Sequence, residues 1–309
     1  MNNHVRLILG DWIVPPESDI TIKIDFQEGE GSAARVFDIA ANLIRAFEDL
    51  DRVLVSSVDS RISTTLILED IEKSSLLVFL RNILKATDDQ ALKEMDWKQQ
   101  VGKYLVAGKY IALEWLDQKI DETNPPQIED LTERIQKLAA HTDVRHLPDY
   151  PPINPARLAQ PLDEIQRAKG QFKEGEKLTI TLDKSEYEVH LDEQWLPSEH
   201  LPEESAEREL SNDADMVLVI RKADFLGKSQ WQFRHGTSGI SAPIEDLDWL
   251  NEFHQGKHPL TPGAALRVRA RFQYKYDARG DLIEQKITII KVYGIIPAAL
   301  APEGFFDDE

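Results

Sequence analysis

The chain has 309 residues, 41% of them hydrophobic, which is enough to build about two folded domains. It contains no cysteine, so disulfide bonds, thiolate catalysis and cysteine-ligated metal centres are excluded. Its net charge of −19 disfavours nonspecific coating of nucleic acid, and no run of 18 apolar residues predicts a membrane span. We therefore expect a folded cytoplasmic protein that does not enter a membrane.

Residues 1–192 predict an α+β domain. Alternation of apolar and polar residues predicts strands, and apolar residues at helical spacing after Ser32, a natural N-cap, predict an amphipathic helix. The run at 76–84 is apolar nearly all round and predicts a helix buried between layers. The predicted order is β-β-α-β-β-α, with the elements at residues 5–14, 20–26, the helix after Ser32, 53–58, 62–68 and 76–84.

Three longer helices follow, and then a short hairpin. The helices are predicted at 88–120, 128–147 and 156–172, and the hairpin strands at 178–182 and 187–191. Residues 148–155 form a proline-rich connector. Residues 193–211 are polar, acidic and poor in aromatic residues, a composition that is typical of an interdomain linker.

Residues 212–296 predict a small five-stranded β-barrel, followed by an acidic tail at 297–309. Strands are predicted at 216–222, 229–235, 239–244, 266–275 and 282–293. A helix between the third and fourth strands has Asp246 as a credible N-cap and Gly256 as a credible C-terminal glycine. Its apolar residues would plug one end of the barrel. The predicted fold class is thus α+β, with an N-terminal α/β layer packed on helices and a C-terminal barrel.

The fourth predicted strand has one apolar face and one cationic face. Its cationic face carries Arg267, Arg269 and Arg271, and alternate residues of a strand lie about 7 Å apart. Lys275 and Arg234 would widen this patch if their strands pair with it. The charge contrast makes the patch unusual, because residues 212–296 contain 12 Lys and Arg against 10 Asp and Glu, whereas residues 1–211 contain 24 against 41.

Three interpretations of the arginine patch are open. It could dock an acidic partner protein, bind nucleic acid through its phosphates, or be covered by the acidic N-terminal domain. Single-strand binders expose aromatic side chains beside their charge, whereas the aromatic residues of these strands alternate inward. We therefore predict a non-catalytic interaction or adaptor protein with an acidic partner, and nucleic-acid binding is the alternative.

The motifs of common enzymes are absent from the sequence. There is no GxGxxG and no GxxxxGK[ST], and the loop at 27–31 carries two glutamates that would repel a phosphate. The His141 and His146 pair would point about 140° apart on a helix, which is poor geometry for a metal. The acidic cluster at 69–73 is predicted to be a solvated loop. We predict no catalytic residue, no cofactor and no metal.

A metal-dependent hydrolase or nuclease with a site assembled from distant segments is a further alternative. Nucleases of the restriction-enzyme type place an acidic residue on one strand and an Asp/Glu-x-Lys motif on the next. Asp277, Asp281 and Glu284-Gln-Lys286 are superficially similar, but Asp281 and Glu284 are too close in sequence to lie on separate strands.

Two groups of residues carry a resemblance to a known family. They are Ile62-x3-Leu66-x-Leu68-Glu-Asp-Ile71-Glu and Trp231-x-Phe233, Ile244-Glu-Asp-x2-Trp249-Leu, Leu266-x-Val268, Gly280 and Ile290-Lys-Val292. The chain resembles a group of uncharacterised bacterial two-domain proteins, in which an α+β domain precedes a small five-stranded barrel. The resemblance covers most of the chain and implies a place in a bacterial antiviral-defence or mobile-element system. It offers no catalytic residue to transfer.

Overall fold

The protein is described here from a computed structural model. The structure describes residues 7–9, 12–14, 19–27, 33–59, 62–72, 75–86, 97–119, 126–142, 147–201, 208–225, 230–236, 238–277 and 280–298. The chain divides into two compact units. The N-terminal unit comprises Met1–Thr87, Lys98–Leu138 and Ile153–Glu203, and the C-terminal unit comprises Asp88–Trp97, Ala139–Pro152 and Glu204–Glu309. The predicted acidic tail, beyond residue 298, and most of the loop at 27–31 lie outside the described residues.

The N-terminal half contains both strands and helices. They are β1 (Leu7–Leu9), β2 (Trp12–Val14), β3 (Ile20–Asp25), α1 (Ala33–Ser56), β4 (Ile62–Glu72), β5 (Leu76–Ala86), α2 (Trp97–Leu116), α3 (Ile128–Thr142), α4 (Pro155–Lys169), β6 (Lys177–Leu182) and β7 (Ser185–Glu188), followed by a 3-10 turn at Pro197–His200. β1 and β2 form a hairpin of their own. The predicted hairpin near residues 178–191 is confirmed.

The N-terminal sheet is antiparallel and has the strand order β4-β5-β3-β6-β7. Helix α1 connects β3 to β4, and β5 lies between these two strands in the sheet. This is a split β-α-β arrangement. α1 packs against β4 and α4. Its buried residues recur at helical spacing, and Leu43, Phe47 and Leu50 are wholly inaccessible to solvent.

Several predictions in this half are wrong. Residues 5–14 were predicted as one strand, but they contain two short strands, β1 and β2, which pair with each other. The acidic cluster at 69–73 was predicted as a loop, but β4 extends to Glu72.

The segment predicted as a helix at 76–84 is β5, and its first five residues are all at most 6% exposed. A short apolar run that is buried on both faces has no strand alternation, so periodicity alone cannot distinguish it from a helix. Residues 53–58 were predicted as a strand, but α1 continues to Ser56. The side chains of Val53, Leu54 and Val55 are buried there, and this packing outweighs their β propensity.

The C-terminal half consists of β8 (Arg208–Lys222), β9 (Trp231–His235), β10 (Ser238–Ala242), α5 (Leu247–His254), β11 (Ala265–Tyr276) and β12 (Leu282–Ile296). The predicted strands and helix are confirmed as elements. Asp246 caps α5 by accepting a hydrogen bond from the Trp249 backbone N–H at 3.4 Å, and Gly256 has the positive φ, 77°, that was expected of it. β8 begins at Arg208, inside the segment interpreted as a linker.

The prediction of a closed barrel is wrong. The C-terminal sheet is an open antiparallel sheet of order β10-β9-β8-β11-β12, so β10 and β12 are its two edges. β10 ends at Ala242 before Pro243, which has no N–H with which to extend a ladder. Beyond the end of β10, Ile244 forms an isolated parallel bridge with Ile289 of β12. Alternation predicts strands but does not encode whether the two edges pair.

The core of the C-terminal sheet is aromatic. Trp249 and Phe253 of α5 pack on Trp231 of β9, with ring centroids 5.9 and 5.1 Å apart. Phe272 of β11 and Phe233 of β9 belong to the same buried cluster. Because the even-numbered residues of β11 face this core, its odd-numbered residues face outward.

Candidate functional site

The predicted arginine patch lies beside an acidic strand. β11 pairs along its whole length with β8, which places Arg269 opposite Asp215, Arg271 opposite Asp213 and Lys275 opposite Glu209. Opposite charges on directly opposed residues of antiparallel strands attract each other. The cationic face predicted from β11 therefore has its counter-charges in the neighbouring strand of the same sheet.

Arg271 makes the tightest of these contacts. Its Nε and Nη2 donate to the two carboxylate oxygens of Asp213, at 2.9 and 3.2 Å, in a bidentate arrangement. This hydrogen bonding lowers the pKa of Asp213 and raises the pKa of Arg271. Arg269 is held more loosely, because its Nη1 lies 3.5 Å from Asp215 and its Nε lies 3.6 Å from Asp213. Both arginine side chains are 44% exposed.

Arg267 has a different environment. Its guanidinium carbon lies 5.9 Å from the ring centroid of Tyr293, which is within cation–π distance. Among the described residues, no carboxylate lies within ion-pair distance of Arg267. The Tyr293 hydroxyl donates to Asp215 Oδ1 at 3.2 Å, so the ring is tied to the arginine ladder.

A β-bulge at Ile290 places Tyr293 on this surface. Arg269 pairs with Lys291 and Ala270 pairs with Ile289, so Ile290 is the extra residue of β12 between them. A bulge redirects a side chain that strict alternation would send to the other face. As a result Tyr293 is 45% exposed and lies against Arg267, whereas its neighbour Val292 is buried. We call the surface formed by Arg267, Arg269, Arg271, Asp213, Asp215 and Tyr293 the outer face.

The remaining predicted residues lie at the margins of the outer face. Lys275 is exposed and lies four residues along β11 from Arg271, about 13 Å in an extended strand. Arg234 of β9 pairs with Val219 of β8, so it is two strands from β11, about 10 Å. The structure thus brings the three arginines together and leaves Lys275 and Arg234 apart from them.

Two charged residues of the N-terminal unit that belong to no sequence motif are fully buried. Asp51 of α1 and Lys109 of α2 form an ion pair in which both side chains are fully inaccessible. Burial raises the pKa of Asp51, while Lys109 and the Asn82 amide oppose this effect. A signal was present, because Asp51 lies between Phe47 and Leu54 on an apolar helix face where a charge is unexpected.

A second buried ion pair joins Lys169 to Asp117. Lys169 Nζ lies 2.9 Å from Asp117 Oδ1, and the other carboxylate oxygen accepts from the Tyr187 hydroxyl and the His190 backbone N–H, each at 2.9 Å. Burial lowers the pKa of Lys169, and Asp117 counteracts this. This network joins the end of α2 to α4 and to the end of β7.

The weaker chemical candidates of the sequence are engaged elsewhere. Glu69 of the acidic cluster accepts a hydrogen bond from Arg81 Nε at 2.7 Å. In the part of the chain that the structure describes, no group of three or more His, Asp or Glu residues is arranged to hold a metal ion. His146, from the histidine pair considered for a metal, lies outside that part.

None of the described helices has both the length and the apolar character needed to cross a membrane. Comparison with family models, curated proteins and solved structures finds no match for this chain.

Proposed function

We propose that the chain is a non-catalytic interaction protein whose outer face docks an acidic partner protein in the cytoplasm. The observation that carries this proposal is the environment of Arg267. Its side chain is exposed, it lies against an exposed tyrosine, and no carboxylate of the described residues neutralises it. A carboxylate of a partner would fill that role.

The three arginines are suited to different tasks. Arg271 already has two donors on Asp213, so it mainly joins β11 to β8. Arg269 makes longer contacts and has five N–H donors in its guanidinium, so a partner can reach the remaining ones. Docking is therefore expected to centre on Arg267 and Arg269, with Tyr293 between them.

The composition of the outer face suits protein recognition. Arginine and tyrosine are enriched among the residues that contribute most to binding at protein interfaces, since each combines contact area with a polar group. Asp213 and Asp215 nearly balance the arginines, which lowers the attraction for a uniform polyanion. Specific geometry rather than overall charge would select the partner.

Nucleic-acid binding has less support from this arrangement. Stacking of bases needs exposed aromatic rings, yet Trp231, Phe233 and Phe272 are at most 1% exposed. Tyr293 provides one ring beside the arginines, and the near balance of charge on the outer face would weaken phosphate binding.

The proposal predicts that Arg267→Glu abolishes capture of a partner by the immobilised full-length protein. Removing a central interface residue and reversing its charge is expected to weaken binding by at least about tenfold. The measurement is mass spectrometry of proteins retained from a lysate, followed by titration of the identified partner against wild type and variant.

Lys275→Glu is the matched control, because it makes the same charge change on the same strand away from Tyr293. A partner lost with both variants would indicate a nonspecific charge effect. Retention of the same proteins by Arg267→Glu would contradict docking at the outer face. Binding of a single-stranded oligonucleotide that weakens steeply with salt, in place of a protein partner, would favour the alternative.

A further inference from the structure

A cavity of about 650 Å³ opens in the N-terminal unit, remote in sequence from the outer face. Its volume is within the range of small-molecule sites, about 300–1,000 Å³. It is bounded by the start of β3, by β5, by the residue after β6 and by one face of α2. The residues that line it include Asp19, Asn82, Lys98, Gly102, Lys103 and Asp183.

The charges of the cavity are separated by element. α2 contributes Lys98 and Lys103, which both line the cavity although they are five residues apart on the helix, while Asp19 and Asp183 come from the strand ends. Asp183 and Asp19 are joined through their backbones, since the Asp183 N–H donates to the Asp19 carbonyl at 3.0 Å. One wall of the cavity is therefore cationic and another carboxylic.

Gly102 is the least expected residue of the lining. Glycine inside a helix is destabilising relative to alanine, so it usually has a packing reason. Gly108 of the same helix has one, because an added Cβ would lie 2.9 Å from Leu54 Cδ1. An added Cβ at Gly102 would meet no atom within 4 Å. The space beside Gly102 is left open by the protein's own side chains, as expected if a ligand approaches the helix there.

Asp19 is held in place and is only partly solvated. The Asn82 backbone N–H donates to Asp19 Oδ2 at 2.8 Å. Burial is the largest influence on this carboxyl and raises its pKa. A carboxyl that lines the cavity in this way can accept a hydrogen bond from a ligand hydroxyl.

The cationic wall favours a phosphate over a carboxylate. Planar carboxylates are matched by the two-pronged arginine guanidinium, and the Nε of Arg81 is already directed to Glu69. Lysines act as point charges that suit the oxygens of a phosphate group from several directions. The apolar side chains of Ile83 and Val106 leave room for a less polar part of the ligand.

We propose that this cavity binds a small organic phosphate that carries hydroxyl groups. The phosphate lies against Lys98 and Lys103, the hydroxyls are bound by Asp19 and Asp183, and the body of the ligand packs beside Gly102. This would give the N-terminal unit a binding function that is separate from docking at the outer face.

The test is isothermal titration of the full-length protein with ribose 5-phosphate and AMP as probes, and with inorganic phosphate, ribose and phosphoethanolamine as comparisons. At least one of the two probes should bind tenfold or more tightly than each comparison compound. The proposal is overturned if neither probe binds at millimolar concentration, or if inorganic phosphate binds as well as both. It is also overturned if phosphoethanolamine binds best, because the carboxylates would then recognise an amine.

Gly102→Leu fills the open space, so it should weaken binding of the tighter-binding probe at least tenfold without lowering thermal stability. Gln100→Leu, in the same helix turn but outside the lining, is the matched control and should bind as wild type does. Lys103→Ala and Asp19→Asn should each weaken binding of this probe as well. Equal binding by Gly102→Leu and wild type would show that the ligand lies elsewhere, which overturns the assignment of this cavity.

Discussion

The buried ion pairs of the N-terminal unit and the exposed ion pairs of the outer face lie in opposite settings. In the N-terminal unit, Asp51 and Lys109 meet with no solvent exposure at all, whereas on the outer face the side chains of Arg269 and Arg271 remain 44% exposed. Breaking a buried pair leaves an uncompensated charge away from water, which is costly. An exposed pair contributes little to stability, since water replaces the lost partner.

This difference indicates which charges are available for binding. The buried pairs of the N-terminal unit have no face from which a partner molecule could approach, so they serve the packing of helices. The exposed pairs of the outer face can exchange an internal carboxylate for one from a partner at small cost. A charge contributes to stability in the first setting and to recognition in the second.

The largest expected effect is that of Lys109→Met. It leaves Asp51 buried without its cation, and such changes typically destabilise a protein by about 3–5 kcal/mol. The measurement is the free energy of unfolding of the full-length protein in urea. The double variant Lys109→Met with Asp51→Leu removes both charges and should recover most of that loss. If the single variant is as stable as wild type, the pair is not buried in solution.

The sequence predicts the strands of the C-terminal sheet better than those of the N-terminal sheet. In β11, apolar and polar residues alternate from Leu266 to Tyr274 because one face is buried and the other is exposed to solvent. This alternation is enough to predict the strand. β5 is buried on both faces and shows no such alternation. Pairing between sheet edges has no local signal either, which is why an open sheet was predicted as a barrel.

The candidate site could be predicted in part. The arginines of β11 follow directly from alternation, but their partners Asp213 and Asp215 lie between the predicted linker, which ends at residue 211, and the first predicted strand, which begins at residue 216. Their role depends on the register between β8 and β11, which local composition does not specify. Tyr293 reaches the outer face through a bulge, and a period of two residues cannot reveal an inserted one.

An intermediate effect on stability is expected at Glu176, which is more deeply buried than Arg35, its ion-pair partner. Its side chain is 1% exposed, that of Arg35 is 20% exposed, and Arg35 donates to both carboxylate oxygens of Glu176, at 2.8 and 2.5 Å. These hydrogen bonds are the main reason that the pKa of Glu176 is lowered. Glu176→Gln should lower the free energy of unfolding at pH 7 by about 1–2 kcal/mol.

The pH dependence of this effect has a definite sign. A carboxyl whose pKa is lower in the folded chain stabilises it above the ordinary value, 4.5, and loses this contribution as the pH falls through the lower folded value. The unfolding free energies of wild type and Glu176→Gln should therefore differ by a constant amount near neutrality and converge below about pH 4.5. Parallel curves down to pH 2.5 would show that the Arg35 contact does not depend on the charge of Glu176.

The smallest expected effects are on the outer face, and there stability and binding should separate. Arg271→Ala removes a bidentate contact between β11 and β8, so it should shift the urea midpoint slightly downward, and 1 M NaCl should reduce that shift by screening the pair. Arg267→Ala removes no carboxylate contact, so it should leave the urea midpoint unchanged. It should nevertheless weaken binding of the partner identified by capture. If Arg267→Ala destabilises the protein as much as Arg271→Ala does, its stacking on Tyr293 is a structural contact of the sheet, and the outer face has no arginine reserved for a partner.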